Sequence, residues 1–325
     1  MNMEICESRN IDFDVMKGIG VILMITAHTL GPESITWNYI YAFHMPLFFI
    51  TSGYFFREKD YIKNANSLYT RLIKPYIFIC ISVTILRFFK DIICSGYIYV
   101  DIRDALYGMG PGWFLLALFW GKNIFNAIIK QFPRSYMIIS LIISSIPILI
   151  NNSSPLDLPS EILQGLSCII FIAIGYYAKQ KNILIKLTNN YLPISLIISL
   201  LLWINTSIFG KVEVATCTCK LWIIDYLGAT GGTFLCYYLS SKINNFSTHV
   251  TQILTTISQY SLAIISFHAI DFCIPMWYLL SKYIDHDILL LSILAGRSIV
   301  MYLSILATTN IPFLYHLFMG KSKDQ

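Results

Sequence analysis

Long apolar segments alternate with short polar segments along the whole chain. The apolar segments hold roughly 17 to 25 residues each, the length that an α-helix needs to cross the hydrocarbon core of a bilayer. The pattern predicts an all-α, polytopic membrane protein with about ten transmembrane helices. The predicted spans are 15–31, 38–56, 75–94, 112–129, 136–151, 161–178, 190–209, 221–240, 253–279 and 288–309.

The basic residues of the polar segments indicate the orientation. If the N-terminus is cytoplasmic, most Lys and Arg residues fall on cytoplasmic segments, and the outer loops hold few. Those few are chiefly Lys90, Arg103, Lys211, Lys220 and Lys282. The positive-inside rule therefore predicts that both termini are cytoplasmic. No soluble stretch longer than a loop interrupts the pattern, so residues 1–325 are expected to form a single membrane-embedded domain.

Composition supports this interpretation and excludes one class of partner. Hydrophobic residues make up 56% of the chain and charged residues only 13%, whereas soluble domains carry about a quarter charged residues. The formal net charge is a modest +5, and the basic residues are scattered, so nucleic acid is not expected as a partner. The eight cysteines show no CxxC spacing and are expected to be buried apolar residues. A disulfide among Cys94, Cys217 and Cys219 is left open.

Ionisable residues inside apolar spans are the first candidates for chemistry, because a charge at the bilayer centre costs about 2.5–3.5 kcal/mol. Asp14, Lys17 and His28 share one stripe of the first helix, since a turn of about 100° per residue leaves Lys17 and His28 only about 20° apart. The helical rise places those two residues about 16 Å apart along the axis. A neutral imidazole can accept a proton at ordinary pH, so His28 is the strongest candidate. Asp14 is expected to pair with Lys17.

Four further ionisable residues lie in apolar segments. His44 stands in FHMPLFF, where catalysis and the packing of a kinked helix explain it equally well. His268 is interpreted as a core histidine. Asp225 and Arg297 are opposite charges on late helices, and we expect them to pair with each other.

Two other stretches suggest a binding site. Arg71 and Lys74 are three positions apart on a predicted helix and point the same way, so both could bind the phosphate of one ligand. Ordinary positive-inside flanking explains these two residues as well. In YGMGPGWFLLALF, residues 107–119, a Gly-Pro-Gly turn leads directly to Trp113, and this stretch is expected to cap a site on the outer side.

These stretches together resemble the membrane acyltransferase family 3, integral-membrane enzymes that move acyl groups, usually acetyl, from coenzyme A to sugars of cell-surface glycans. The resemblance rests on Lys17 followed eleven positions later by His28, FHMPLFFITSGY at 43–54, RLIKPY at 71–76, GPGWFL at 110–115 and QYSLAIISFH at 259–268. It implies that His28 is the catalytic base and that Lys17, Arg71 and Lys74 face coenzyme A on the cytoplasmic side. Possible supporting residues are Asp14, His44, Trp113 and His268. The family more often has arginine at positions 17 and 74; lysine keeps the charge but loses the bidentate fork.

The resemblance implies an O-acetyltransferase of the cell envelope in the inner, or cytoplasmic, membrane. The expected reaction moves an acyl group, in the first place acetyl, from acetyl-CoA to a hydroxyl of a cell-surface glycan or its lipid-linked precursor, without a metal ion. Membrane lipid surrounds such an enzyme. The alternatives are a transporter or flippase of a lipid-linked glycan and a non-enzymatic partner in an envelope complex. Direct transfer and an acyl-enzyme relay both fit the sequence, and the acceptor sugar and oligomeric state are open.

Overall fold

The chain folds into a bundle of helices with one short hairpin. A computed structural model describes residues 10–32, 34–95, 112–153, 160–271 and 285–320, and gives only the backbone of 90–95, 151–153, 160 and 286–287. The helices are α1 (Ile11–Leu30), α2 (Ile35–Tyr41), α3 (His44–Tyr54), α4 (Tyr61–Leu68), α5 (Lys74–Ser95), α6 (Trp113–Gln131), α7 (Tyr136–Ser153), α8 (Ser160–Gln180), α9 (Ile183–Asn189), α10 (Leu192–Ile208), α11 (Ile223–Phe246), α12 (Thr248–Gln259), α13 (Ser261–Asp271), α14 (His286–Asn310) and α15 (Pro312–Met319). A π-helical turn, Tyr69–Ile73, joins α4 to α5. Strands β1 (Val212–Glu213) and β2 (Thr218–Cys219) pair antiparallel between α10 and α11.

The described helices confirm an all-α membrane protein. Four stretches are long and apolar enough to cross a membrane, Ile11–Leu30, Tyr61–Phe89, Glu161–Gln180 and Ile288–Asn310, all taken from the described residues. The number rises to six if α9 with α10, bent by 111°, and α12 with α13, bent by 68°, each count as one broken span. The figure of ten spans and the cytoplasmic position of both termini stay predictions.

The second predicted span, 38–56, is divided in the structure. Its helix breaks at Ala42 and Phe43, which separate α2 from α3, and Phe43 has a non-helical backbone with φ of −143° and ψ of −18°. Pro46 follows in the first turn of α3, where a missing N–H removes no helical hydrogen bond. The apolar length of a segment does not reveal such a break, so the sequence pattern merged the two helices.

Helix α1 begins and ends at recognisable signals. The Asn10 side chain accepts a hydrogen bond from the Phe13 amide at 3.4 Å and caps the first turn. Gly31 ends the helix with a φ of +74°, a conformation that glycine adopts at no steric cost. Along its length α1 packs against α12 so closely that a β-carbon on Gly18 would overlap the carbonyl oxygen of Leu254.

Helices α3 and α8 cross with their backbones in close contact. A β-carbon on Gly53 would overlap the carbonyl oxygen of Ile172, and one on Gly175 would overlap the carbonyl oxygen of Ile50. Small residues of this kind let helix backbones touch, which is how helices associate inside a bilayer. The crossing fixes α3, and with it His44, at its first residue.

We expect Gly175→Ala to lower the free energy of unfolding by about 1–3 kcal/mol, because the added methyl group forces α3 and α8 apart. Thermal unfolding in detergent, followed by circular dichroism, measures the change. Gly20→Ala is the matched control, since its methyl group meets only movable side-chain atoms of Phe48 and Leu47 and should cost less. Equal stability of Gly175→Ala and the wild type would contradict the close crossing.

Candidate active site

A cavity of about 50 Å³ lies between the C-terminal half of α1, the break between α2 and α3, the start of α6 and the hairpin. Three residues that the sequence singled out, His28, His44 and Trp113, share its wall. The described residues that line it are Met24, His28, Tyr41, His44, Met45, Phe48, Trp113, Phe114, Val212, Glu213, Val214, Ala215 and Ile265. The wall therefore combines two imidazoles, a phenol and a carboxylate with aromatic and thioether side chains.

His28 lies in the last turn of α1 and is half-buried. Its Nδ1 atom is 3.4 Å from the hydroxyl oxygen of Tyr41. The Tyr41 ring is itself held by stacking on Trp37, with ring centroids 3.7 Å apart and planes 20° apart. In the tautomer whose Nδ1–H donates to Tyr41, Nε2 keeps the lone pair that a general base requires.

His44 is fully buried at the first residue of α3. Its Nδ1 lies 3.1 Å from the carbonyl oxygen of Ile40, and a carbonyl oxygen only accepts, so Nδ1 carries the hydrogen. The same carbonyl oxygen accepts the Phe43 amide at 3.2 Å, so the His44 side chain adds a second hydrogen bond at the helix break. The Tyr41 ring packs 4.6 Å from the His44 ring. His44 thus stabilises the break that brings Tyr41 to His28, and it also lines the cavity.

His268 lies beside His28, with ring centroids 5.5 Å apart. Behind the two imidazoles is Arg297 of α14, whose positive charge acts on both of them. The Arg297 Nε donates to Asp271 at 3.1 Å, and its Nη1 donates to Thr29 at 2.8 Å. A buried cation is thereby fixed next to the candidate base.

The expected pairing of Arg297 with Asp225 is wrong. Arg297 pairs with Asp271 on α13, 26 residues earlier in the chain. Asp225 lies in the first turn of α11, where its Oδ2 accepts the backbone N–H groups of Lys211 at 3.3 Å and Leu221 at 2.7 Å. Amide donors at the hairpin thus take the place of the predicted cation.

The expected pairing of Asp14 with Lys17 is confirmed. The Lys17 Nζ lies 2.9 Å from Asp14 Oδ1, which also accepts a hydrogen bond of 3.2 Å from the Ser258 hydroxyl of α12. Asp14 therefore fastens α1 to α12. Within the described part of the chain, Asp14 and Lys17 do not line the His28 cavity; they lie near the opposite end of α1.

Arg71 and Lys74 lie at the surface, in the π-helical turn and at the start of α5. They too are separate from the His28 cavity, as far as the described residues show. The structure adds a residue that the sequence reasoning missed. Lys122 lies half-buried in the middle of α6, and the charges of Arg71 and Lys59 act on it. A single lysine inside the predicted span 112–129 was the available signal, because charges at membrane depth are rare.

Amide side chains dock the segment before α4 onto α6 and hold these cations together. The Asn126 side chain accepts from the Lys59 backbone N–H at 3.1 Å and donates to the Lys59 carbonyl oxygen at 3.0 Å. One turn away, Asn64 donates to Asn123 at 3.0 Å. Lys59, Arg71 and Lys122 form what we call the cation cluster. Three like charges in one place favour an anionic ligand.

Comparison with known proteins gives the family. The model of acyltransferase family 3, described as an acyltransferase domain, matches residues 10–317, nearly the whole chain. The chain belongs to this family. The resemblance drawn from the motifs is therefore confirmed. The matched range includes every described residue of the His28 cavity and of the cation cluster of this acyltransferase. The curated proteins and the solved structures gave no match.

We expect Arg297→Met to destabilise the acyltransferase by about 3–5 kcal/mol, because it leaves the Asp271 carboxylate buried without its cation. The two side chains are only 6% and 2% exposed, so water cannot replace the lost partner. Thermal unfolding in detergent measures the loss, with Arg134→Met, at an exposed position, as the control.

The double variant Arg297→Met/Asp271→Leu separates the pair from other causes. It should regain part of the stability lost by Arg297→Met, since it removes the isolated charge as well. A double variant no more stable than the single one would show that the ion pair is not what holds α13 to α14.

Proposed function

We propose that this acyltransferase moves an acetyl group from acetyl-CoA to a hydroxyl of a cell-surface glycan or its lipid-linked precursor, within the cytoplasmic membrane. Membership of the family supports acyl transfer in a membrane. One observation carries the finer assignment. The His28 imidazole faces a cavity with polar and aromatic walls, and the cation cluster lies at a distance from this cavity that suits the donor.

That distance follows from α6, which connects the two places. Trp113 lines the cavity and Lys122 belongs to the cation cluster, nine positions further along the same helix. At a rise of about 1.5 Å per residue, the two positions are about 13 Å apart along the axis. Acyl-coenzyme A carries phosphates at one end and its thioester at the tip of a long thin arm, so a separation of this size suits it. In this proposal Arg71, Lys122 and Lys59 bind the phosphates, and Lys74 and Lys17 add positive charge at the same face.

The described cavity holds only a few water molecules, so the wall must open for the thioester. Met24 and Met45 form part of that wall, and methionine side chains change rotamer readily. Rotation of these two side chains would widen the cavity without moving a helix.

The proposed reaction balances with residues already described. His28 Nε2 accepts the proton of the acceptor hydroxyl while the oxygen forms a bond to the thioester carbonyl carbon. The tetrahedral intermediate collapses with cleavage of the C–S bond, and the imidazolium returns the proton to the departing thiolate. The products are an O-acyl ester and free coenzyme A. General-base catalysis of this kind raises the rate about 10²- to 10⁴-fold.

The hairpin cysteines favour direct transfer over a cysteine acyl-enzyme. Burial raises the pKa of the Cys217 thiol, and burial together with the neighbouring Asp225 carboxylate raises the pKa of the Cys219 thiol. The thiolate is the nucleophilic form of cysteine, so both groups are weak nucleophiles at neutral pH. A hydroxyl activated by His28 needs neither of them.

We expect His28→Ala to reduce acyl transfer by about 10²- to 10⁴-fold, because the acceptor hydroxyl loses its base. The measurement is the acyl content of the host's surface glycan by mass spectrometry, with the protein intact, deleted or substituted at matched membrane abundance. His249→Ala is the matched control, since His249 is exposed on α12.

Three results have distinct meanings. Loss of acylation with normal glycan export, in both the deletion and His28→Ala, supports the enzyme. Loss of the glycan itself from the surface would favour the transporter alternative. Normal acylation by His28→Ala would overturn the role given to His28.

We expect Arg71→Gln and Lys122→Gln each to raise the KM for acetyl-CoA about tenfold or more, because a charge-assisted contact to phosphate is lost. Acetyl-pantetheine, which lacks the nucleotide and its phosphates, tests the reason: with this donor the variants and the wild type should have similar KM values. Lys186→Gln, at an exposed position on α9, is the control. An equal rise in KM for both donors would show that these residues do not contact the phosphates.

A further inference from the structure

The hairpin between α10 and α11 forms one wall of the His28 cavity. Its contribution is the continuous stretch 212–215, and within that stretch Glu213 supplies the carboxylate. Helices supply the rest of the lining, including His28 and Trp113. The hairpin therefore adds a group of different chemistry to a site built from helices.

The hairpin is held by contacts that do not involve the Glu213 side chain. Asp225, which is fully buried, accepts the backbone amides of Lys211 and Leu221 at the two ends of the hairpin. From the other side, Gln164 of α8 donates to the Ala215 carbonyl oxygen at 2.7 Å. These hydrogen bonds fix the wall without the Glu213 side chain, so the Glu213 carboxylate is not required to hold the hairpin in place.

The Glu213 carboxylate lines the same cavity as the candidate base. Its charge acts on Tyr41, whose hydroxyl oxygen is 3.4 Å from His28 Nδ1. Lys211 Nζ binds Glu213 Oε2 at 2.8 Å, and the Glu213 side chain is 19% exposed. A carboxylate has about four lone-pair sites on its two oxygens, so one ammonium contact leaves capacity for further donors.

We propose that Glu213 binds the acceptor. Its carboxylate accepts hydrogen bonds from hydroxyls of a polyol such as a sugar ring, so that a neighbouring hydroxyl meets His28. Hydrogen bonds from hydroxyls to an ionised carboxylate are short and strong, and two adjacent hydroxyls match its two oxygens. The ring of Trp113 in the same wall offers an apolar face for the C–H face of a sugar. This inference rests on the proposed function and adds to it the residue that selects the acceptor.

The charge of Glu213 also predicts which acceptors bind. Neutral and amino sugars are favoured, because their hydroxyl and ammonium groups donate to the carboxylate. Uronic acids are disfavoured, because their own carboxylate is repelled at short range. The assignment therefore concerns specificity as well as orientation.

The test uses the full-length protein in nanodiscs, acetyl-CoA as donor, and a panel of neutral, amino and uronic-acid oligosaccharides, each in soluble and in lipid-linked form, as acceptors. Glu213→Gln, which keeps the shape and removes the charge, should raise the KM for neutral and amino acceptors at least tenfold. The KM for acetyl-CoA should change less than twofold. The discrimination against uronic acids should shrink.

Two controls exclude a merely structural role. Lys211→Met breaks the ion pair but keeps the carboxylate, and Lys220→Gln removes a charge from the same hairpin at an exposed position outside the cavity. Both should change the acceptor KM less than threefold.

Each contrary result has its own meaning. An effect of Lys211→Met as large as that of Glu213→Gln would overturn the assignment, as would equal acceptor kinetics for Glu213→Gln and the wild type. A wild type that transfers no acyl group to any acceptor would instead overturn the proposed function, and this inference with it.

Discussion

The structure depends on the cost of placing charged and polar groups among apolar helices, which requires each of them to have a partner. Arg297 meets this requirement through Asp271 and Thr29. These contacts join α14, α13 and the last turn of α1, the turn that carries His28. One buried cation thus fixes the relative position of three helices at the candidate base. In a bilayer, where lipid chains are as apolar as Leu, such polar contacts and close packing take over much of what hydrophobic burial does in water.

The same requirement explains why the cavity lies at a break in a helix. The break between α2 and α3 leaves backbone carbonyl groups without helical donors, and irregular backbone at membrane depth is tolerated where it lines a cavity or is buried in protein. At this break the Ile40 carbonyl accepts both the Phe43 amide at 3.2 Å and the His44 side chain at 3.1 Å. The break turns Tyr41 towards His28. His44 therefore serves packing and shapes the site at the same time, which is why packing and function explained it equally well from the sequence.

Helical spacing in the sequence predicted the contact between residues of one helix, but it did not predict which residues of different helices pair. Asp14 and Lys17 are three positions apart, and helical spacing alone gave their contact. The stripe ending at His28 and the helical membrane fold followed from the same spacing. Arg297 was assigned to the wrong carboxylate because every Asp carries the charge opposite to that of Arg. The choice between Asp271 and Asp225 depends on how the helices pack. The cation at Lys122 and the carboxylate at Glu213 needed the fold, since their neighbours lie far away in sequence.

The separation of charges in the fold gives the two substrates of the proposed reaction different binding places. The cation cluster, Lys59, Arg71 and Lys122, lies at the middle of α6, whereas the carboxylate of Glu213 lies at the cavity. In the proposed reaction the cation cluster binds the phosphates of an anionic donor, and the uncharged thioester end of that donor reaches the cavity. Phe48, Phe114 and Met24 form apolar walls of this cavity, which limit the room for water as an unwanted acceptor. A hydroxyl acceptor held by the carboxylate can then compete for the thioester where bulk water cannot, and this favours transfer over hydrolysis.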